Sequence, residues 1–306
     1  MQMFNDLLRC TECKSNLPFV DEWPAGGIKC PGCGRHYPIV KGIPRFVSSD
    51  LYVQSFSYQW IRNRLTQSVS GAAEDYLKRK TTFSKDQLAG TTVLDVGCGV
   101  GYYTDVISRW GANVIAMDLS QSVEAAYESF KDRRNVRILQ ADIFNLPFRE
   151  GSFDYIFSIG VLHHTPDPQE AFRQIARLLK PGGKIAIWVY AKKRSPRYKI
   201  SEFYRKFTPK IPPKILYALS YIAVPMYYAY KIPLVGNILR IILPVSRQKR
   251  AQERILETFD LYSPKYSFKF TYPEVYDWFV TEGLEEIRLL HHPICIVGKK
   301  PDQKST

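Results

Sequence analysis

Between Thr91 and Tyr190, short apolar runs alternate with segments of helical spacing, and this order limits the possible folds more than any other feature of the chain. TTVLDVG, ANVIAMDLS, VRILQAD, FDYIFSIG and GKIAIWVY are rich in Val, Ile and aromatic residues and bounded by Gly, Asp or Asn, so they read as strands. Between them, YYTDVISRW, SVEAAYESFKDR and PQEAFRQIARLLK carry apolar residues three and four apart and read as helices. Strands that follow one another through helices run parallel, because each crossover returns the chain to the same end of the sheet. The expected fold is α/β, a doubly wound, mostly parallel sheet. With 306 residues and 45% hydrophobic content, the chain can bury such a core and a smaller module besides.

The first strand runs into VLDVGCGVGYYT, where glycines at 97, 99 and 101 allow a tight turn before a helix. Dinucleotide enzymes share glycine-rich turns, but their fingerprint is G-x-G-x-x-G and the spacing here is G-x-G-x-G. Acids at the strand ends narrow the reading. Asp95 lies two residues before the first glycine, Asp118 ends the second strand where a carboxylate can accept both hydroxyls of a ribose, and Asp142 ends the third. Together they describe a pocket for an adenosine that carries a positive charge rather than a pyrophosphate.

In this order, VLDVGCGVG, MDLS, ADIFNLPFREGSFDYIFSIGVLHHTPDP and RLLKPGGKIAIWVY, over about residues 90–191, resemble the Rossmann-like class I S-adenosylmethionine-dependent methyltransferases. The resemblance implies that Gly97, Gly99 and Gly101 line the methionine and ribose side, that Asp95 faces the methionine amino group, that Asp118 holds the ribose, and that Asp142 and Ile143 flank the adenine. Leu119, next to Asp118, and Ser158, in the fourth strand, complete the expected cofactor-binding set. The loop GVLHHTPDP then lies where the methyl group is expected, which makes His163 and His164 candidates for a general base or an acceptor clamp. The alternative is that one or both pack beneath the cofactor. No Asn-Pro-Pro-Tyr-like sequence follows the fourth strand and no Pro-Cys nucleophile is present, which argues against adenine or glutamine amino-group methylation in that style and against cytosine C5 chemistry.

Ahead of this region, Cys10, Cys13, Cys30 and Cys33 form C-x2-C-x16-C-x2-C. Each pair can present two thiolates to one tetrahedral ion, and the intervening residues suit a short hairpin, so a structural Zn2+ ribbon is expected over residues 1–50. His36 lies outside the pairs and reads as surface or packing. The following RHYPIVKGIPRFV resembles the tail of zinc-ribbon modules in small activator proteins of tRNA and protein methyltransferases. Cys98 and Cys295 fall in apolar strand-like segments; with the paired cysteines accounted for, disulfides are not expected. The N-terminus has no basic stretch followed by an apolar run, so a cytoplasmic protein is expected.

Residues 51–90, including FSYQWIRNRL, read as a helical linker or a lid, and 91–306 as the main domain. Thr271 and Glu274 make a capping box for a helix in TYPEVYDWFVTEG, and LEEIRLLHH with ICIVGKK reads as a closing strand pair. The segment from FDLYSPKYSF to VTEGL also resembles methyltransferases of surface-polysaccharide and lipid modification. That leaves residues 191–258 as a helical insertion. It holds fifteen Lys and Arg against three Glu, nearly all of the chain's formal net charge of +14, and encloses sixteen uncharged residues from Ile215 to Tyr230. A membrane span needs about 20 apolar residues, so the break at Pro225 and the end at Lys231 argue against spanning. The insertion is expected to be a cap over the site, an interfacial element on an anionic membrane, or an RNA face.

The combined expectation is a cytosolic methyltransferase, peripheral to the membrane, using S-adenosylmethionine on an amphiphilic or anionic acceptor, such as a lipid-linked one. RNA binding is favoured by the charge and by a ribbon resembling that of some rRNA guanine-N1 methyltransferases, so an rRNA or tRNA methyltransferase is the alternative. A non-catalytic cofactor-binding partner protein is the second alternative.

Overall fold

The apolar runs form strands because both faces of the sheet are covered. In β5 (Thr92–Val96), Val93 packs into one buried cluster and Leu94 and Val96 into the other. Such strands lose the polar–apolar alternation of a one-sided sheet and read as nearly continuous apolar runs. A computed structural model describes residues 6–18, 26–47, 70–192 and 195–303. These fall into two compact units, one comprising the described residues up to 191 together with 268–303, the other those of 192–267.

The first unit contains β1 (Ile28–Lys29), β2 (His36–Tyr37), β3 (Ile39–Val40), β4 (Ile43–Phe46), α1 (Ser70–Thr81), α2 (Lys85–Leu88) and β5. It continues with α3 (Tyr102–Arg109), β6 (Asn113–Asp118), α4 (Val123–Phe130), β7 (Val136–Ala141), β8 (Phe153–Ile159), α5 (Pro168–Ala176) and β9 (Leu179–Trp188). Among the described residues its large sheet has the order β10-β11-β9-β8-β5-β6-β7-β4-β3, with β10 (Glu285–Leu289) and β11 (Cys295–Lys299) following a C-terminal helix at Tyr272–Thr281. The central strands β4 to β9 are parallel, while β3, β10 and β11 pair antiparallel at the two edges. This is the doubly wound α/β sheet expected from the sequence. The chain steps outward from β5 through β6 and β7, then returns to the other side of β5 as β8. Ligands bind at such a reversal, at the carboxyl ends of the strands.

Several local expectations shift. PQEAFRQIARLLK does not remain helical to its end. The helix stops at Ala176, and Leu179 is already paired with Phe153 in the sheet. Lys180 Nζ lies 2.9 Å from both carboxylate oxygens of Asp154, and Pro181 lacks the N–H a continuing helix would need. Cys98 sits in the glycine turn rather than in a strand. The capping box forms, with Glu274 accepting from the Thr271 N–H at 2.7 Å.

The N-terminal module belongs to the sheet unit. β4 extends the sheet by pairing Arg45 with Gln140 and Phe46 with Ala141. Leu8 bridges to Phe148, and Leu7, Leu8, Ile28 and Tyr37 share a core with Phe148 and Phe153. Of the segment expected to link the module to the sheet, FSYQWIRNRL lies outside the described residues, as does the middle of the expected ribbon hairpin at 19–25. The described α1 packs Ala73 and Leu77 into the sheet core.

The second unit is helical: α6 (Pro196–Tyr204), α7 (Pro213–Leu219), α8 (Ala223–Ala229), α9 (Val235–Ile242) and α10 (Ala251–Tyr262), which places the helix at Tyr272–Thr281 as α11. Its core is small, chiefly Leu216, Tyr217, Ile255, Leu256, Phe259 and Tyr262. No helix among the described residues is long and apolar enough to cross a membrane.

Candidate functional site

The glycine turn leaves β5 at the strand reversal. Gly97 and Gly101 have φ of 78° and 88°, a region that side chains strain to enter. Space excludes side chains as well. A Cβ on Gly97 would lie 2.2 Å from Val161 Cγ2, and one on Gly101 would lie 2.2 Å from Phe130 Cε2. The turn therefore packs directly against the loop that carries the two histidines, because Val161 immediately precedes the short helical turn Leu162–His164.

Two of the three expected acids are held at this turn. Asp95 is 3% exposed and accepts a 2.6 Å hydrogen bond from Thr104 Oγ1, one turn into α3. Burial pushes its carboxyl up to about 7, with the neighbouring Asp118 adding to the rise and the Thr104 bond opposing it. A buried acid poised in this way gains most from a cationic partner, and an ammonium suits it. Asp118 accepts from the Gly99 N–H at 2.9 Å and from the Ser120 N–H at 2.8 Å, so it anchors the glycine turn to the end of β6. Its carboxyl is also raised by burial, against the pull of the Ser120 and Gly99 bonds. Each carboxylate oxygen keeps acceptor capacity beyond one backbone bond, which is what a pair of ribose hydroxyls requires.

Asp142 follows β7 and is half-buried, accepting from the Phe144 N–H at 3.0 Å; Ile143 beside it is buried. Leu119 contributes its carbonyl, which accepts from Gln140 Nε2 at 2.8 Å. Ser158 is fully buried inside the sheet, and its hydroxyl donates to the Val96 carbonyl at 3.2 Å. That bond ties β8 to β5.

The histidines differ. His163 is 0% exposed, its ring stacked on Tyr190 with centroids 3.8 Å apart, while His164 is 7% exposed and its ring lies 4.2 Å from that of His163. The His163 carbonyl accepts from the Phe268 N–H at 2.8 Å, and the Tyr190 carbonyl accepts from the Phe270 N–H at 2.9 Å. The 268–270 segment thus runs alongside the histidine loop.

Three residues here escaped the sequence reading. In the sequence Tyr190 reads only as a strand residue. Lys80, at the end of α1, is 5% exposed with Nζ 3.6 Å from the centroid of Trp188, and burial pulls its ammonium down to about 8. Nothing in the local KRKT marks it, since basic residues in a last helical turn are commonplace. Arg45, buried on β4, donates to Gln140 Oε1 at 2.8 Å and to Glu124 Oε1 at 3.1 Å, and Gln140 in turn holds the Leu119 carbonyl. The N-terminal module thereby reaches the loop that follows Asp118.

The four paired cysteines converge, with all their Sγ atoms within 4.8 Å of one another, including 3.6 Å between Cys10 and Cys33 and 3.5 Å between Cys13 and Cys30. A tetrahedral Zn2+ with bonds of about 2.3 Å would need sulfurs just under 4 Å apart, so the cluster fits a four-coordinate ion. Burial alone would raise the Cys10 thiol, but the Tyr37 hydroxyl and the neighbouring N–H groups bring it down to about 6. Tyr37 Oη lies 3.1 Å from Cys10 Sγ and accepts from the Thr11 N–H at 2.9 Å, the kind of outer support that orients a metal ligand. His36 is exposed, with Nε2 2.6 Å from the Gly26 carbonyl.

Residues 94–187 match the family model described as "Methyltransferase domain". The chain is 34% identical over 123 residues to probable tRNA methyltransferase 9B of Bos taurus, covering 39% of this chain and 26% of that protein. It is 34% identical over 140 residues to phosphoethanolamine N-methyltransferase 2 of Caenorhabditis elegans, covering 44% of this chain and 32% of that protein. With demethylmenaquinone methyltransferase of Lactococcus lactis it shares 32% identity over 144 residues, 45% of this chain and 57% of the relative. The chain thus spans about a quarter to a little over half of the length of these relatives. Residues 94–187, which hold the glycine turn and the strand-end acids, are thus the part of the chain that is similar to methyltransferase domains.

Proposed function

We propose that the chain is an S-adenosylmethionine-dependent methyltransferase whose acceptor is amphiphilic or anionic and is met at an anionic membrane surface through the helical unit. The observation that carries the first half is the buried acid pair at the glycine turn: Asp95 for the cofactor's ammonium, Asp118 for its ribose. Asp142 and Ile143 flank the adenine, and Leu119 positions its rim. The bound cofactor supplies an electrophilic methyl on a sulfonium. The chain's contribution is alignment of the acceptor for in-line displacement, so its residues act mainly by holding and by excluding water.

His164 takes the acceptor-side role, as base where the acceptor must lose a proton, and His163 packs behind it on Tyr190. The complete enclosure of His163 supports this division. His164→Ala would then lower kcat and flatten its acid limb, whereas His163→Ala would lower stability more than it changes the pH profile. The reverse pattern would exchange the roles. Zn2+ at the four cysteines is structural, since four protein ligands leave no open position.

The membrane half rests on the helical unit's surface. Large apolar side chains, including Ile215, Leu219, Ile222, Ile238, Ile241 and Ile242, are exposed there, and Lys206, Lys210, Lys214 and Lys231 are exposed on the same unit. Apolar burial together with attraction of basic residues to acidic lipids is the recipe for interfacial binding. An RNA acceptor is the second reading, favoured by the same charge and by the tRNA methyltransferase relative. The test pairs anionic vesicles with bulk RNA at low and high salt, and follows formation of S-adenosylhomocysteine with lipid and RNA fractions. Salt-resistant vesicle binding with turnover on lipid supports the proposal. Salt-sensitive RNA binding with turnover on RNA replaces it, and cofactor binding without turnover on any fraction turns the reading to a non-catalytic partner protein.

A further inference from the structure

The helical unit holds a pocket of about 180 Å³ whose walls include Ile211, Leu216, Leu243 and Val245. A cavity of about 150 Å³ lined by aliphatic and aromatic residues takes up benzene, so this one has room for a stretch of hydrocarbon. Five hydroxyl-bearing residues also line it, and each hydroxyl is already engaged with the unit's own backbone. Tyr204 Oη donates to the Ile242 carbonyl, Thr208 Oγ1 to Tyr262, Ser220 Oγ to Leu216 and Tyr262 Oη to Pro244, while Thr258 Oγ1 accepts from the Ser246 N–H. Four of the five hydroxyls have given their one proton to a carbonyl, so a polar ligand would find few donors in these walls and would be desolvated at a cost that a hydrocarbon does not incur.

The rim adds a second observation. Leu219 and Ile222 line the pocket and are also 55% and 43% exposed, so the opening lies on the unit's exposed apolar surface. Basic side chains stand nearby in sequence on the same unit, exposed at Lys210 and Lys214. Apolar walls, internally satisfied hydroxyls, an apolar rim and adjacent positive charge match one ligand chemistry, an alkyl chain attached to an anionic head.

We infer that this pocket takes up one acyl chain from an anionic lipid of the membrane on which the unit docks. The inference rests on the membrane-surface reading given above and specifies its anchor. Interfacial apolar contact alone would leave the lipid chains in the bilayer. Here a single chain leaves it and lodges between α7, α10 and the segment leading out of α9.

The test uses the full chain and a long-chain polyene fatty acid that fluoresces when removed from water. The expected result is saturable one-to-one binding, displaced by vesicles of phosphatidylcholine with phosphatidylglycerol but much less by phosphatidylcholine alone. Val245→Phe, which fills the pocket, should weaken probe binding about tenfold or more while S-adenosylmethionine affinity in the sheet unit stays unchanged. If that variant loses its helical circular dichroism, Leu219→Glu with Ile222→Glu at the exposed rim takes its place and should give the same loss.

Absence of saturable binding by the unmutated protein overturns the inference, as does unchanged binding by a folded filled or rim variant. Displacement by free fatty acids but by no vesicle also overturns it, because the source would then be soluble fatty acid. Ile238→Asp with Ile241→Asp separates this inference from the membrane reading, since neither residue lines the pocket. Those changes should weaken vesicle flotation and leave probe binding intact. Vesicle flotation by the unmutated protein without any probe binding would sink the pocket and keep the surface. Loss of probe binding by the α9 variant would assign the chain to the exposed face instead of the pocket and overturn the inference.

Discussion

The sheet unit and the helical unit dispose of apolar and polar side chains in opposite ways. In the sheet unit, aliphatic residues of β5 to β9 are buried on both faces, and polar groups drawn inside, among them Asp95, Ser158, His163 and His164, are held by hydrogen bonds or ring stacking. In the helical unit the core is a handful of residues, while Leu234, Ile238, Ile241 and Ile242 of one nine-residue stretch are exposed, Leu234 to 81%. Fully burying one such side chain stabilises by about 1.5–3 kcal/mol, so leaving so many in water is costly unless something covers them. The sheet unit keeps its acids at a buried turn, whereas the helical unit exposes apolar side chains.

The comparison can be broken most severely at the cysteines. Cys30→Ser should release the metal and, because the N-terminal module shares the sheet's core, lower the melting midpoint of the whole sheet unit by about 10 °C. A loss of metal without any shift in sheet melting would make the module an independent appendage. Metal analysis of the unmutated protein checks the premise.

Next in size, Asp118→Ala removes both the proposed ribose contact and the anchor of the Gly99 N–H. Calorimetry should show S-adenosylmethionine affinity falling about 100-fold, the worth of one or two hydrogen bonds to a charged group. Unchanged affinity would end the ribose assignment.

Asp95 sharpens the comparison through pH. Its folded pKa of about 7 lies above the unfolded value of 3.8, so the folded chain holds a proton that the unfolded chain has lost between those values. Its contribution favours folding below that window and is lost as the pH rises through it. Cofactor binding should have the opposite dependence, because an ammonium needs the ionised carboxylate. Affinity should fall about tenfold for each pH unit below 7, and Asp95→Asn should flatten that slope while weakening binding at neutral pH. A flat profile in the unmutated protein would remove the ammonium contact.

On the helical side the effects are smaller. Lys206→Ala and Lys210→Ala should each weaken binding to anionic vesicles about fivefold, the worth of about 1 kcal/mol per basic residue near an acidic leaflet. No change in flotation would mean that these charges do not face lipid. The smallest effect belongs to Ser158→Ala, which should cost under about 1.5 kcal/mol of stability and leave cofactor affinity unchanged, since the hydroxyl is engaged by Val96. A loss of cofactor affinity there would show that the Ser158 hydroxyl itself serves the cofactor.

How far the sequence could be read depended on whether a feature repeats locally. Strands β5 to β9 were legible because each is bounded by turn residues and sealed on both faces. The glycine turn and strand-end acids were legible because the chain itself brings a strand's last residues to the next turn. Arg45 was not, since its partners Glu124 and Gln140 are distant in sequence and only strand pairing joins them. Nor was Lys80, whose burial against Trp188 depends on α1 packing across the sheet. The end of helix α5 is not legible because Leu178 and Leu179 continue its apolar spacing, and only the pairing of Leu179 with Phe153 marks the change.

The sequence by itself determined the doubly wound α/β sheet, the metal-binding spacing of the cysteines, the acid-lined glycine turn and the concentration of positive charge in 191–258, because all of these are written in local spacing and composition. Tertiary structure alone decided that the cysteine module completes the edge of the sheet, that the Ser158 hydroxyl is hydrogen-bonded to the Val96 carbonyl, that His163 is sealed behind Tyr190, and that several apolar residues of the insertion are exposed while others line a pocket. The physical reason is that burial and hydrogen-bond partnership belong to pairs of residues far apart in the chain, and no single segment carries that information.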